Sequence, residues 1–206
     1  MPDGSGGEIK KGRKFEQVLE GARRIFMADG YEGASVDDIA RAAKVSKATL
    51  YSYFPDKRLL FLEVAKGECA RQADLATATI DQCRPVREVL TEAGMTLVRF
   101  VTSAFARGIF RLCVAEAERF PQLGREFYQS GPAMGRARFV EYFESAIERG
   151  ELKIDDVELA AEQFQELCKA DLFQRMIFCN THDFTDAEIE RVVTGAVDVF
   201  LARYGA

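Results

Sequence analysis

The chain has 206 residues, a net charge of −5, no Trp, 16 Phe, five Cys and one His. That length supports one or two domains with real cores, and a hydrophobic content of 48% is ordinary for a globular protein. No run of about 18 apolar residues occurs, so no membrane-spanning helix is expected. Met1 to Gly12 lacks an apolar stretch and does not read as a secretory leader, so a cytoplasmic protein is expected.

Enzymatic chemistry finds little support. There is no Gly-rich phosphate loop, no nucleophile elbow and no HExxH. Asp155-Asp156 and the Glu116/Glu118 pair fit a solvated surface. Cys69, Cys83, Cys113, Cys168 and Cys179 are odd in number, widely spaced and without a CxxC pair. With His182 as the single histidine, neither a disulfide framework nor a metal site is expected, and no cofactor. Small reduced core residues are the plainer reading of the cysteines, and a thiol switch is the other.

Taken in order, residues 1–12 are Gly-rich and read as a disordered arm. Lys10 and Lys11 in it, with Arg13 and Lys14 just after it, can meet phosphate or a minor groove, or remain a solvated tail. A first helix is predicted from Lys14 to Asp29, where Phe15, Val18, Leu19, Ala22, Ile25 and Phe26 form one stripe and Gly30 ends it. That stripe has to bury against the helices that follow, which are too short to stand alone.

Those helices occupy residues 35–54. Ser35 can cap the first, with Asp38 as a capping-box partner, and Ile39, Ala40 and Ala43 give it a small apolar face. Lys44 and Val45 make a tight turn. Ser46 can cap the second by accepting the Thr49 N–H, Leu50 and Phe54 point inward, Pro55 stops it and Asp56 can cap the next. This is a helix-turn-helix pattern, which offers its second helix to a DNA major groove. From Arg41 to Arg58 it carries five basic residues (Arg41, Lys44, Lys47, Lys57, Arg58) against Asp56 alone. Phosphate contacts need such donors, although an ordinary helical pair with a polar rim reads similarly.

The overall negative charge divides along the chain. Residues 1–60 hold 11 basic and 9 acidic residues, a balance of +2; residues 61–206 hold 17 and 24, a balance of −7. The acid therefore lies away from the candidate DNA-binding segment, where it discourages wrong docking.

From Asp56 to about Ala78 one long helix is predicted, anchored by Leu59, Leu60, Leu62, Val64 and Ala65. No linker interrupts it, so it reads as a rigid lever. Further helices are expected over Val86 to Ala106, Ile109 to Ala117, Pro121 to Arg149 (interrupted at Ser130-Gly131-Pro132), Glu158 to Cys179 and Asp186 to Tyr204. With no alternating run and no βαβ unit, the fold class is all-α with about nine helices. Three regions follow: the arm (1–12), a three-helix helix-turn-helix DNA-binding domain (13–60) and a helical bundle (61–206).

Val45-Ser-Lys-Ala-Thr-Leu-Tyr-Ser-Tyr-Phe-Pro-Asp-Lys57 resembles the signature of the TetR family of transcriptional regulators. The likeness reaches back through Gly30-Tyr-Glu-Gly-Ala-Ser35 to Arg24-Ile-Phe. A weaker one, in Glu116-Ala-Glu-Arg-Phe-Pro-Gln-Leu123, Gly131-Pro132 and Gly150-Glu-Leu-Lys-Ile-Asp-Asp156, is to the C-terminal domain of the AefR-like branch. The resemblance implies that Lys47, Thr49 and Tyr51 project toward the groove, that Tyr53 and Lys57 meet phosphate, and that Ala48 permits close approach. Ser35 and Ser46, at the helix N-termini, complete that set.

The resemblance also favours a homodimer, on double-stranded DNA carrying a palindrome, over burial of the last helices within a monomer. The candidate interface is Leu167, Leu172, Phe173 and Met176 with Val193, Val197, Phe200 and Leu201, paired with their copies as a four-helix bundle. A cavity for a small apolar or amphipathic ligand is expected among Phe100, Arg107, Phe110, Cys113, Phe127, Met134, Phe139 and Phe164. Tyr128 and Gln165 are further candidates, and Arg99 and Arg111 can meet an acidic group; most of the Phe residues also fit simple core roles. The expected function is a homodimeric repressor released from its operator by a ligand. An activator, a thiol-responsive regulator or a ligand-independent architectural protein would use the same parts.

Overall fold

A computed structural model describes residues 12–78, 84–181 and 183–206. The arm with Lys10 and Lys11 (to residue 11), Cys83 and His182 lie outside the described residues. Among the described residues eleven helices run in order: α1 Arg13–Gly33, α2 Val36–Ala43, α3 Lys47–Tyr53, α4 Lys57–Ala78, α5 Val86–Val101, α6 Ala104–Glu116, α7 Pro121–Ser130, α8 Pro132–Glu148, α9 Val157–Cys168, α10 Leu172–Phe178 and α11 Asp186–Tyr204. The fold is all-α. Among the described residues the only strand-like pairing is one bridge, Leu152 to Gly205.

Eleven helices stand where nine were expected because two breaks are sharper than the sequence suggested. Ser130-Gly131-Pro132 separates α7 from α8, since Pro132 opens a new helix at its first position. The segment expected from Glu158 to Cys179 divides at Asp171, whose φ of 65° is left-handed and incompatible with a continuing helix. The first helix also departs from expectation at its end. Gly30 leaves helical geometry as predicted (φ 69°, ψ −176°), but the chain then makes one more turn to Gly33.

The chain divides into two compact units between Ala65 and Lys66. This falls beyond the expected boundary at residue 60 because the start of α4 belongs to the first unit's core. Phe61 packs against Phe26 at 4.7 Å and Tyr31 at 5.0 Å between ring centroids. Leu59, expected as an anchor, is exposed. In that unit Phe15, Val18, Ala22 and Phe26 are buried on α1, Ile39, Ala40 and Ala43 on α2, and Leu50 on α3. Gly21 also belongs to this face: a Cβ there would lie 2.6 Å from the Ala43 Cβ and backbone N. Its missing side chain is what lets α1 and α2 approach closely.

In the second unit, α5, α8, α9 and α11 enclose a hydrophobic core. Its centre is a run of aromatic rings in which Phe200 meets Phe143 at 4.9 Å and Phe164 at 5.1 Å, and Phe164 meets Phe139 at 5.1 Å. This overturns most of the expected dimer interface. Leu172, Met176, Val193, Val197 and Phe200 are at most 1% exposed within one chain. Their stripes are real, but they face their own neighbours. Leu167 and Leu201 pack against the same core from its edge, and Phe173 turns toward Phe110 at 5.0 Å.

Candidate DNA-binding face and candidate ligand cavity

The helix-turn-helix is set by side-chain caps. Ser35 Oγ accepts the Asp38 N–H at 3.0 Å, and the Ser35 hydroxyl donates to the Asp38 carboxylate at 2.5 Å. Asp38 is therefore not a reciprocal capping-box partner, because its carboxylate takes the Ser35 hydroxyl instead of the backbone N–H. That hydrogen bond, then the Arg41 guanidinium, holds the Asp38 carboxyl below its ordinary range. Lys44 closes α2 in a left-handed conformation (φ 55°) and donates its N–H to Ala40 and Arg41. Ser46 Oγ then accepts the Thr49 N–H at 3.1 Å and starts α3. Leu50 and Phe54 are buried beneath it.

Of the expected DNA-binding residues, Ser35, Ser46, Lys47, Ala48 and Tyr51 are exposed. Thr49 is half-buried and shares a hydrogen bond with the Ser46 hydroxyl at 2.9 Å. Tyr53 is half-buried with its ring 5.8 Å from Phe15, edge to face. All of these but Ser35, the cap of α2, lie on α3 and its cap Ser46.

Lys57 departs from the expected phosphate role. Its ammonium donates to the carbonyls of Tyr31 at 2.8 Å and Ala34 at 3.1 Å, and lies 4.3 Å over the Tyr31 ring. It clasps the α1–α2 connection to the start of α4. Charged hydrogen bonds of this kind are each worth about 1.5–3 kcal/mol, less what the freed carbonyls regain from water. Lys57→Met is therefore expected to lower the thermal midpoint of the first unit while leaving the salt slope of DNA binding unchanged. A slope about one unit shallower would return Lys57 to the phosphate backbone.

The other basic residues of the segment mostly meet acids. Lys47 Nζ is 2.6 Å from Asp37, Arg41 is 2.6 Å from Asp38, and Arg58 is 2.5 Å from Asp56. Asp37 was missed in the sequence reading, although it sits just upstream of the basic run.

The second unit contains an apolar cavity of about 230 Å³. Of the residues expected around a ligand, Phe100, Phe110, Phe127, Met134, Phe139 and Gln165 line this cavity. Three expected residues do not. Phe164 and Cys113 are buried in packed surroundings, and Arg107 also lies outside the lining. Arg99 pairs with Asp186, and Arg111 hydrogen-bonds Asn180, so neither is positioned as a cavity cation. Arg138 and Lys169 line it instead. Arg138 pairs with Asp74 and Glu141, and Lys169 with Glu166, so both arrive partnered. Sequence periodicity could not find them, since both carry the polar pattern of an exposed face.

Burial pushes the Cys69 thiol, on the cavity wall, up to about 11, and those of Cys113 and Cys168 up to about 12. These thiols are protonated at neutral pH and poorly nucleophilic, which favours core roles over a thiol switch. They also set a pH dependence. The unfolded chain releases these protons near 9.0 and the folded chain holds them to about 11–12. Their contribution is thus complete below pH 9 and is lost as pH rises beyond it. Urea unfolding of the wild type is expected to weaken above pH 9. Cys168→Ala should make that decline shallower by about 1.4 kcal/mol per pH unit.

Among the described residues no helix is long and apolar enough to cross a membrane. Two short capped helices, with the second presenting Lys47, Ala48 and Tyr51 outward, define a helix-turn-helix DNA-binding regulator of transcription. Residues 18–64 match the model of the tetR family of bacterial regulatory proteins, and residues 88–206 match that of the AefR-like transcriptional repressor C-terminal domain. The chain belongs to the TetR family. A TetR-family protein of Mesorhizobium loti is similar over 97% of this chain and 100% of its own, at 28% identity and a TM-score of 0.81. The flavonoid-responsive regulator FrrA is 30% identical over 94% of this chain and 97% of its own, with a TM-score of 0.63. The repressor AcnR of Corynebacterium glutamicum is 40% identical over 62 residues, which is 30% of this chain and only 33% of AcnR. The match to AcnR is thus confined to about a third of that repressor's length. YdeS of Bacillus subtilis, an uncharacterised regulator, is 25% identical over 92% of this chain and 93% of its own.

Proposed function

We propose that this protein is a homodimeric, cytoplasmic repressor that leaves a palindromic operator when a small apolar or amphipathic molecule enters the 230 Å³ cavity of its second unit. The cavity is the observation that carries the reading. A ligand-independent architectural protein needs no such void, because filled cores are the more stable ones. Repression is supported by the similarity of the DNA-binding segment to the AcnR repressors, and a small ligand by the name of FrrA. Dimerisation is assigned to the outward faces of α9 and α11, where Leu159 and Val199 stand exposed. Two copies would read two half-sites about 34–36 Å apart and roughly double the base-contact free energy.

The proposed coupling runs through α4, which contributes residues to both units. Ligand favours one arrangement of the recognition helices over another, and a coupling of about 1–3 kcal/mol would shift operator affinity 5–150-fold. The experiment is selection of bound duplexes from a random pool, followed by titration of flavonoids and fatty acids against the recovered site. A palindrome whose occupancy falls with one of these compounds is the expected result. Occupancy that rises with ligand would overturn release by ligand. Binding without an enriched sequence would remove the operator reading.

A further inference from the structure

Lys47 opens the recognition helix α3, and its ammonium is held 2.6 Å from the carboxylate of Asp37 in the first turn of α2. Both side chains are more than half exposed. Such pairs add little to folding, because water solvates the separated charges almost as well. Asp37 also has no part in the cap: Asp38 takes the Ser35 hydroxyl and Arg41. What Asp37 does do is place a negative charge beside Lys47 on the candidate DNA-binding face, where Ser35 and Tyr51 are also exposed.

We propose that Asp37 is a specificity-determining residue that acts through Lys47. While the pair is closed, Lys47 contributes nothing to sequence-independent phosphate binding. Opening is favoured only where the ammonium gains two acceptors at once, as at guanine O6 and N7 in the major groove. A single phosphate oxygen merely replaces one carboxylate by another anion. Asp37 therefore suppresses binding to random duplex more than binding to a guanine-containing site. The inference rests on DNA binding by this helix-turn-helix.

The test uses the full-length protein, the site recovered by selection and a random-sequence duplex, each across a range of KCl. Asp37→Asn is expected to tighten random-duplex binding about fivefold and to steepen its salt slope by about 0.9, one added phosphate contact. Selected-site affinity should change less, so the ratio between the two narrows. In a Lys47→Ala background the same substitution should alter neither the slope nor the ratio. Equal tightening on both duplexes, persisting without Lys47, would reduce Asp37 to a long-range charge and overturn the inference. So would an unchanged random-duplex affinity in Asp37→Asn. Failure of the wild type to bind any duplex would instead remove the DNA-binding reading itself, which keeps the two failures distinct.

Discussion

Gly21→Ala is expected to destabilise the first unit by about 2 kcal/mol and to abolish tight DNA binding. On helix propensity alone the substitution should gain about 1 kcal/mol, so any loss is steric. The added Cβ would lie 2.6 Å from the Ala43 Cβ and backbone N and 2.7 Å from its Cα. Backbone cannot yield as a flexible side-chain tip can, so α2 must shift, at the ~1–3 kcal/mol or more that overpacking costs. The shift carries α3 with it, because Lys44 and Val45 leave no slack between the two helices. Thermal unfolding and a DNA-binding titration check both parts. Gly67→Ala is the control: a Cβ there meets open space, so the protein should gain stability. A Gly21→Ala variant as stable as the wild type would show that the α1–α2 approach is looser than described.

The second large effect is expected at Phe164. Its side chain is fully buried and meets the rings of Phe139, Phe143 and Phe200 at 5.1, 6.2 and 5.1 Å. Phe164→Ala removes the ring at the junction of α8, α9 and α11 and leaves a void that helices cannot close without losing other contacts. The cost should be about 3–5 kcal/mol, a large share of the ~5–15 kcal/mol that stabilises a typical domain. Urea denaturation measures it. Phe110→Ala should cost clearly less, because one side of that ring already borders empty space. Equal losses at the two positions would mean that the cavity is filled or collapsed in solution.

Local chemistry was the most legible part of this chain. Ser35, Ser46 and Asp56 could be placed as caps because a capping oxygen and its N–H lie within three residues of each other. Breaks were less legible. Asp171 adopts a left-handed conformation without a glycine to announce it, so α9 and α10 read as one helix. The stripe of α11 was visible, but periodicity says which residues turn inward, not whether the partner is the same chain or a copy. Val193, Val197 and Phe200 were misassigned for that reason. The same limit applied around the cavity: Phe139 and Phe164 share a helical pattern, and only packing separates a wall from a filled core. Lys57 shows the limit for charge. A long flexible cation near a DNA-binding helix can turn outward to phosphate or inward to two carbonyls, and its position in sequence is the same in both cases.

The carboxylates beside Lys47, Arg41 and Arg58 bear on how such a protein would find its target among competing sites. A genome offers about 10⁶–10⁹ non-specific sites, and a reader with unpaired cations would be sequestered on them. Lys47, Arg41 and Arg58 are instead held by carboxylates in the free chain, so brief encounters with a duplex are expected to release few counterions and end quickly. More of the population stays free in solution. For the ligand-released repressor proposed above, few molecules would then keep a single operator occupied, and a modest ligand-induced change would empty it.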